Sequence, residues 1–156
     1  MTTPHAGQVL STPLTCDADV LTRIDSIISA EARQVRTLWL FFLDGDGMQS
    51  EVIVPIDGIP EFPDPDLIGN VCYVVSQALS DTAPDGSVVI TLSRAGDAEP
   101  ADSDLRWLSG LKRGMATHLT PVRMLCLATP SGVREFGADY RDGYSRAGDQ
   151  LPTISV

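Results

Sequence analysis

Between Ser87 and Leu111 the chain reads SVVITLSRAGDAEPADSDLRWLSGL. Most of its chemically capable side chains gather here: Thr91, Ser93, Arg94, Asp97, Glu99, Asp102 and Asp104. An apolar strand runs into a polar loop, and the loop opens an amphipathic helix. Many α/β enzymes place their chemistry at such a junction. The four acids could attract a hard cation such as magnesium. Acids at a helix start are also expected for capping and for the helix dipole alone, and that is the simpler reading. Arg94 could read a carboxylate or a phosphate in a cleft beside Ser93 and Asp104.

Other candidates are weaker. His118 lies at the far end of the helix that Asp104 begins, about 21 Å away at helical rise, so the two cannot share a site. It suits a helix C-terminus or solvent. His5 stands alone in a polar stretch. Cys16, Cys72 and Cys126 are far apart and form no CxxC or Cys/His pattern, so zinc is not indicated. Cys72 and Cys126 read as small core residues without a neighbouring base. Asp44 and Asp46 invite a calcium loop, but the position that would carry the bidentate glutamate is Pro55. A glycine-rich hairpin turn is the better account.

The surrounding elements follow from periodicity. Residues 1–15, with Pro4 and Pro13, read as a flexible arm. Val20, Leu21, Ile24, Ile27 and Ile28 make one apolar face, so a helix is expected over 17–34, capped by Thr15 or Asp17. Residues 36–44 (RTLWLFFLD) predict a buried central strand, Gly45-Asp46-Gly47 a tight turn, and 51–56 the returning strand. Pro55 marks that strand as an edge or its end. Asp64 or Asp66 caps a helix over 67–81, with Leu67, Val71, Val74, Val75 and Ala78 inward. Residues 87–92 are a central strand. A helix follows over 102–117, with Leu105, Leu108, Leu111 and Met115 inward and Trp107 on a flank. Strands over 119–128 and 133–136 complete the order α-β-β-α-β-α-β-β. The expectation is one α/β domain over 16–137, a mixed sheet flanked by helices, with a polar tail over 138–156.

Composition excludes several classes. The chain has 156 residues, 43% of them hydrophobic, enough for one real core. Its net charge is −10, without a basic cluster, which argues against nucleic acid. No apolar run reaches bilayer length, so no membrane partner is expected. The first residues lack a basic region followed by an apolar one, and the cysteines read as reduced, so a cytoplasmic location is expected.

The hairpin LWLFFLDGDGMQSEVIVPIDG, the helix after it, the apolar strand and the loop GDAEPADSD together resemble the JAB/MPN family, and within it the RadC-like branch. The resemblance covers residues 35–136. It implies a JAB/MPN-like (cytidine-deaminase-like) mixed sheet and, in active members, zinc held by two histidines and an aspartate, with a glutamate acting on bound water. Here the histidine positions are Thr91 and Ser93, the motif serine is Ala101, and the glutamate falls near Arg36. The Asp-His step of the following strand is Leu125-Cys126, and Asp104 alone survives. One carboxylate and two neutral hydroxyls make a poor zinc site.

The resemblance therefore implies a vestigial metal site at Thr91, Ser93 and Asp104, with no cofactor, no metal and no catalytic residue. Arg94 could occupy that site and pair with Asp104. The leading expectation is an inactive domain acting as a protein-interaction or assembly module, with a protein partner or a second copy. The alternatives are a small anionic ligand in a cleft of Arg36, Ser93, Arg94 and Asp104, or a metal-dependent peptidase with a rearranged site.

Overall fold

Side-chain alternation along one strand decides the architecture. In TLWLFFL, Leu38, Leu40 and Phe42 point to one face of the sheet and Phe41 and Leu43 to the other, and all five are buried. A sheet that is apolar on both faces needs cover on both. The computed structural model describes residues 12–136, and shows how the cover is supplied. The element order is α1 (Asp17–Ile27), β1 (Thr37–Leu43), β2 (Gln49–Asp57), α2 (Pro65–Thr82), β3 (Ser87–Ser93), α3 (Asp102–Thr117), β4 (Val122–Thr129) and β5 (Gly132–Glu135). The strands form one mixed sheet in the order β2-β1-β3-β4-β5. Only β3 and β4 run parallel, joined across α3. The α/β order expected from periodicity is the one observed. His5, all but the end of the expected arm, and the expected tail over 138–156 lie outside the described residues.

Two cores follow. Leu38, Leu40, Phe42, Val88, Ile90, Leu92, Leu125 and Leu127 pack against α2 and α3. Phe41, Leu43, Val89, Met124, Cys126 and Ala128 pack against Val20, Ile24 and Ile28. Each strand thus serves both layers by its period of two.

Local chemistry sets the element ends. Asp64 caps α2 by accepting the Leu67 N–H at 2.8 Å, and Pro65 opens the first turn without a donor to lose. In the β1–β2 turn Asp44 Oδ1 accepts the N–H groups of Asp46 and Met48, and Gly47 takes a positive φ of 83°. That carboxylate holds its own turn together, which accounts for the Asp44/Asp46 pair. Pro55 lies on β2, an edge strand, where its missing N–H is tolerated.

Several expectations are corrected. The helix expected over 17–34 ends at Ile27; Ile28 is extended, and a separate 3₁₀ turn covers Ala32–Gln34. Arg33 explains the break. Its buried guanidinium takes the carbonyls of Ile28, Asp25 and Thr129, which ties the end of α1 to the end of β4. Neither Thr15 nor Asp17 caps α1. Cys16 is at the cap position, and Asp19 reaches back to the N–H and hydroxyl of Thr15. Leu14, at the end of the expected arm, is buried in the α1 layer with its N–H bonded to Gly47 O. Trp107 is fully buried, not on a flank, and donates to Pro60 O at 2.9 Å. Val74 is 47% exposed; Val71 and Val75 point inward as expected, with Leu67 and Ala78 packed beside them, and Cys72 and Leu79 complete the inward face of α2. The fourth strand begins at Val122 rather than 119, because Leu119 adopts a left-handed φ of 55° in a turn after α3. Among the described residues no helix is long and apolar enough to cross a membrane.

The α2–α3 contact depends on small residues. A Cβ added at Gly114 would overlap Cys72 Sγ, whereas one added at Gly69, on the exposed side of α2, meets nothing within 4 Å. Alanine favours a helix over glycine by about 1 kcal/mol. Gly69→Ala is therefore expected to raise unfolding stability by up to about 1 kcal/mol. Gly114→Ala is expected to lower it by about 1–3 kcal/mol through overpacking. Urea unfolding of the two variants checks the opposite signs.

Candidate functional site

The strand–loop–helix junction is organised by one ion pair. Asp104 sits in the first turn of α3 and is fully buried, and Arg94 follows β3 and is 7% exposed. Arg94 Nε lies 3.0 and 2.9 Å from the two Asp104 oxygens, and Nη2 lies 2.7 Å from Oδ2. The remaining N–H groups serve the loop. Nη1 donates to the carbonyls of Ala95 and Asp97, at 3.0 and 2.8 Å, and Nη2 to that of Glu99 at 2.9 Å. Each of the three guanidinium nitrogens thereby donates a hydrogen bond, and Nη2 also contacts the carboxylate. The loop coils around a cation supplied by the chain itself.

Two local features make the coil possible. Gly96 has φ 103°, and a Cβ there would stand 3.2 Å from Arg94 Nη1. A side chain would be both strained and in the way. Asp104 Oδ2 also accepts the Ala101 N–H at 2.8 Å, so the carboxylate that neutralises Arg94 holds the first turn of α3 as well. Ala101 has no side-chain oxygen to return a bond to that turn. Asp97 Oδ1 accepts the Glu99 N–H, and Arg134 of β5 braces the loop through Ala98 O. Asp102 lies 3.5 Å from Arg106 on the helix surface.

Of the residues singled out from sequence, the structure brings Arg94, Asp104 and Arg36 together. Arg36 Nη1 stands 3.8 Å from Asp104 Oδ1. Ser93 and Thr91 are directed elsewhere. In register they lie opposite Thr37 and Trp39 of β1, whose Trp39 packs in the α1 layer, whereas Ile90 and Leu92 pack with α2 and α3. Ser93 Oγ accepts from Trp39 Nε1 and donates to Val35 O, both at 3.0 Å. Thr91 Oγ1 is buried with no full hydrogen bond, next to the thiol of its cross-strand partner Cys126. Among the described residues no hydrogen bond joins Asp104 to either hydroxyl, and no three His, Cys, Asp or Glu side chains are grouped to hold a metal. Zinc does not fit this donor set: Asp104 is already matched by a guanidinium, and Ser93 is spent on Trp39 and the backbone.

The sequence reading missed Arg33 and Arg23. Arg23 donates to Gln49 Oε1 and Thr12 O on the buried side of α1. Each is an arginine near an otherwise apolar stripe, and nothing in the sequence itself says that one of its partners lies on a distant strand, Gln49 on β2 for Arg23 and Thr129 on β4 for Arg33.

No family model matches the chain, and no curated protein matches it.

The ion pair carries a measurable load. Asp104→Ala would leave a buried guanidinium without its counter-charge and the α3 start without its acceptor. The expected loss is about 3–5 kcal/mol, measured by denaturant unfolding; a loss within experimental error would show that the pair holds nothing. Thiol chemistry gives a second expectation. Burial pushes the Cys126 thiol up to about 12, and the Thr91 hydroxyl works weakly in the opposite direction. Burial also raises Cys72, while Cys16 is exposed. Alkylation of the native protein near pH 8 is expected at Cys16 alone, with Cys72 and Cys126 reacting only on unfolding. A thiol whose native value lies above its ordinary 9.0 favours the folded state fully below about pH 9, and that contribution is lost as pH rises towards 12.

Proposed function

We propose that this chain is a catalytically inactive JAB/MPN-like domain of RadC-like type that works as a protein-interaction or assembly module. The observation that carries the reading is the Arg94–Asp104 pair. At the junction where the resembled family places a metal, this chain has a guanidinium paired with Asp104 and with all three of its nitrogens hydrogen-bonded. The positions corresponding to the histidines are fully buried hydroxyls facing the α1 layer. A site filled by its own side chain offers no open coordination position and no activated water.

Exposed apolar side chains support the interaction half of the proposal. Phe62, Tyr73 and Val74 are each about half exposed on the α2 side of the molecule, and Val52 is exposed on the edge strand β2. A groove of about 560 Å³ runs between α2 and α3, floored by Ile68, Gly69 and Gly110 and flanked by Arg106 and Arg113.

The two alternatives receive less support. An anion read by Arg94 would have to displace Asp104 or the loop carbonyls from a guanidinium whose three nitrogens are all hydrogen-bonded. A rearranged metallopeptidase needs ligands that the described residues do not group together.

The test is elemental analysis of the purified protein with peptidase and isopeptidase assays in added zinc. The expected outcome is substoichiometric zinc and no turnover. One zinc per chain, or turnover abolished by a chelator, would overturn the proposal.

A further inference from the structure

Arg36 is the one member of the site without a settled partner among the described residues. It immediately precedes β1, and because Thr37 pairs with Ser93, Arg36 and Arg94 are neighbours beyond the end of the ladder. Its side chain is only 22% exposed. Nη1 is fully covered and has no hydrogen-bond partner. The nearest acid oxygen, Asp104 Oδ1 at 3.8 Å, is too far for a hydrogen bond, and its carboxylate already serves Arg94 and the Ala101 N–H. None of the other loop acids pairs with Arg36: Asp97 accepts the Glu99 N–H, Asp102 lies by Arg106, and Glu99 is exposed. Asp57 pairs in register with Thr37, whose side chain lies on the opposite face of the sheet from that of Arg36.

Within ion-pairing distance, two guanidiniums share the one carboxylate of Asp104, so this contact is one negative charge short of a full pairing. A covered guanidinium nitrogen without an acceptor is a costly arrangement, because Nη1 has lost water and gained no hydrogen bond. A second carboxylate would complete it. Its two oxygens match the guanidinium fork, and its single charge completes the pairing. A phosphate dianion would overshoot that balance.

We propose that Arg36 forms a carboxylate-binding site beside the Arg94–Asp104 pair, reached through the exposed part of its own side chain, and that its ligand is a small monocarboxylate. The site takes no part in bond making. It binds through the fork of Arg36, next to the Asp104 carboxylate that Arg94 neutralises. The proposal stands independently of whether the domain is an assembly module.

The full chain is titrated with sodium acetate against sodium chloride at matched ionic strength, with thermal unfolding as one readout and the Arg36 Nε–Hε resonance in nitrogen–proton correlation spectra as the other. Acetate is expected to raise Tm saturably above the chloride control and to shift the Arg36 resonance with the same midpoint. Arg36→Gln is expected to weaken acetate binding by about tenfold or more, and Arg36→Lys to recover only part of it. If acetate acts no differently from chloride, or if Arg36→Gln responds as the parent does, the proposal fails. Sodium phosphate stabilising the protein more than acetate at matched ionic strength would overturn the monocarboxylate assignment. Should the variants not fold, the resonance of the unaltered protein decides: a saturable shift supports the site and an unmoved signal overturns it.

Discussion

A fully buried carboxylate is tolerated only where its charge is answered, and the junction between β3 and α3 is built around that requirement. Asp104 is answered three ways at once, by Arg94 Nε, by Arg94 Nη2 and by the Ala101 N–H. Removing two ions from water is expensive, and only good geometry with further hydrogen bonds recovers it. The loop supplies those further bonds. The carbonyls of Ala95, Asp97 and Glu99 turn inward to the guanidinium, and Gly96 adopts the backbone shape that lets them do so. Loop path, helix start and ion pair are one arrangement seen from three sides.

The rest of the fold holds the ends of this arrangement still. Arg94 is fixed by the last residues of β3, which lies mid-sheet between β1 and β4, and its own N–H bonds to Ala128 O at the end of β4. Asp104 is fixed by α3, whose Trp107, Leu108, Leu111 and Met115 are buried against the sheet and α2. The close approach of α2 and α3 at Cys72 and Gly114 sets how deep α3 lies. Precision at the pair is thus inherited from core packing.

Much of this was legible in the sequence, and the reasons are specific. Strand β3 and helix α3 follow clean periodicities, and α3 falls at Asp102–Thr117 as expected. The Asp64-Pro65 start of α2 carries its own capping chemistry. The pairing of Arg94 with Asp104 is among the sequence expectations. Features that depend on distant partners were not legible. The stop of α1 at Ile27 is imposed by Arg33, whose acceptors include a carbonyl on β4. Leu14 is ordered by a hairpin turn that follows it by a whole helix and strand. Trp107 is drawn inside because Pro60 O is there to take its N–H, a partner no helical period can reveal. The directions of Thr91 and Ser93 were also unread. A strand residue's face is fixed by register, and register belongs to the sheet.

Arg33 and Arg94 both bury a guanidinium among backbone carbonyls, but they differ in chain distance. Arg94 and Asp104 are 10 residues apart, whereas Arg33 and Thr129 are 96 apart. Closing the short loop carries little entropic penalty and needs only β3 and the start of α3. The long one can close only when β4 has joined the sheet, after the chain has crossed over in parallel. The two arginines therefore differ in contact order: one closes a short loop, and the other ties the first helix to a strand that the chain reaches only after three further strands and two helices.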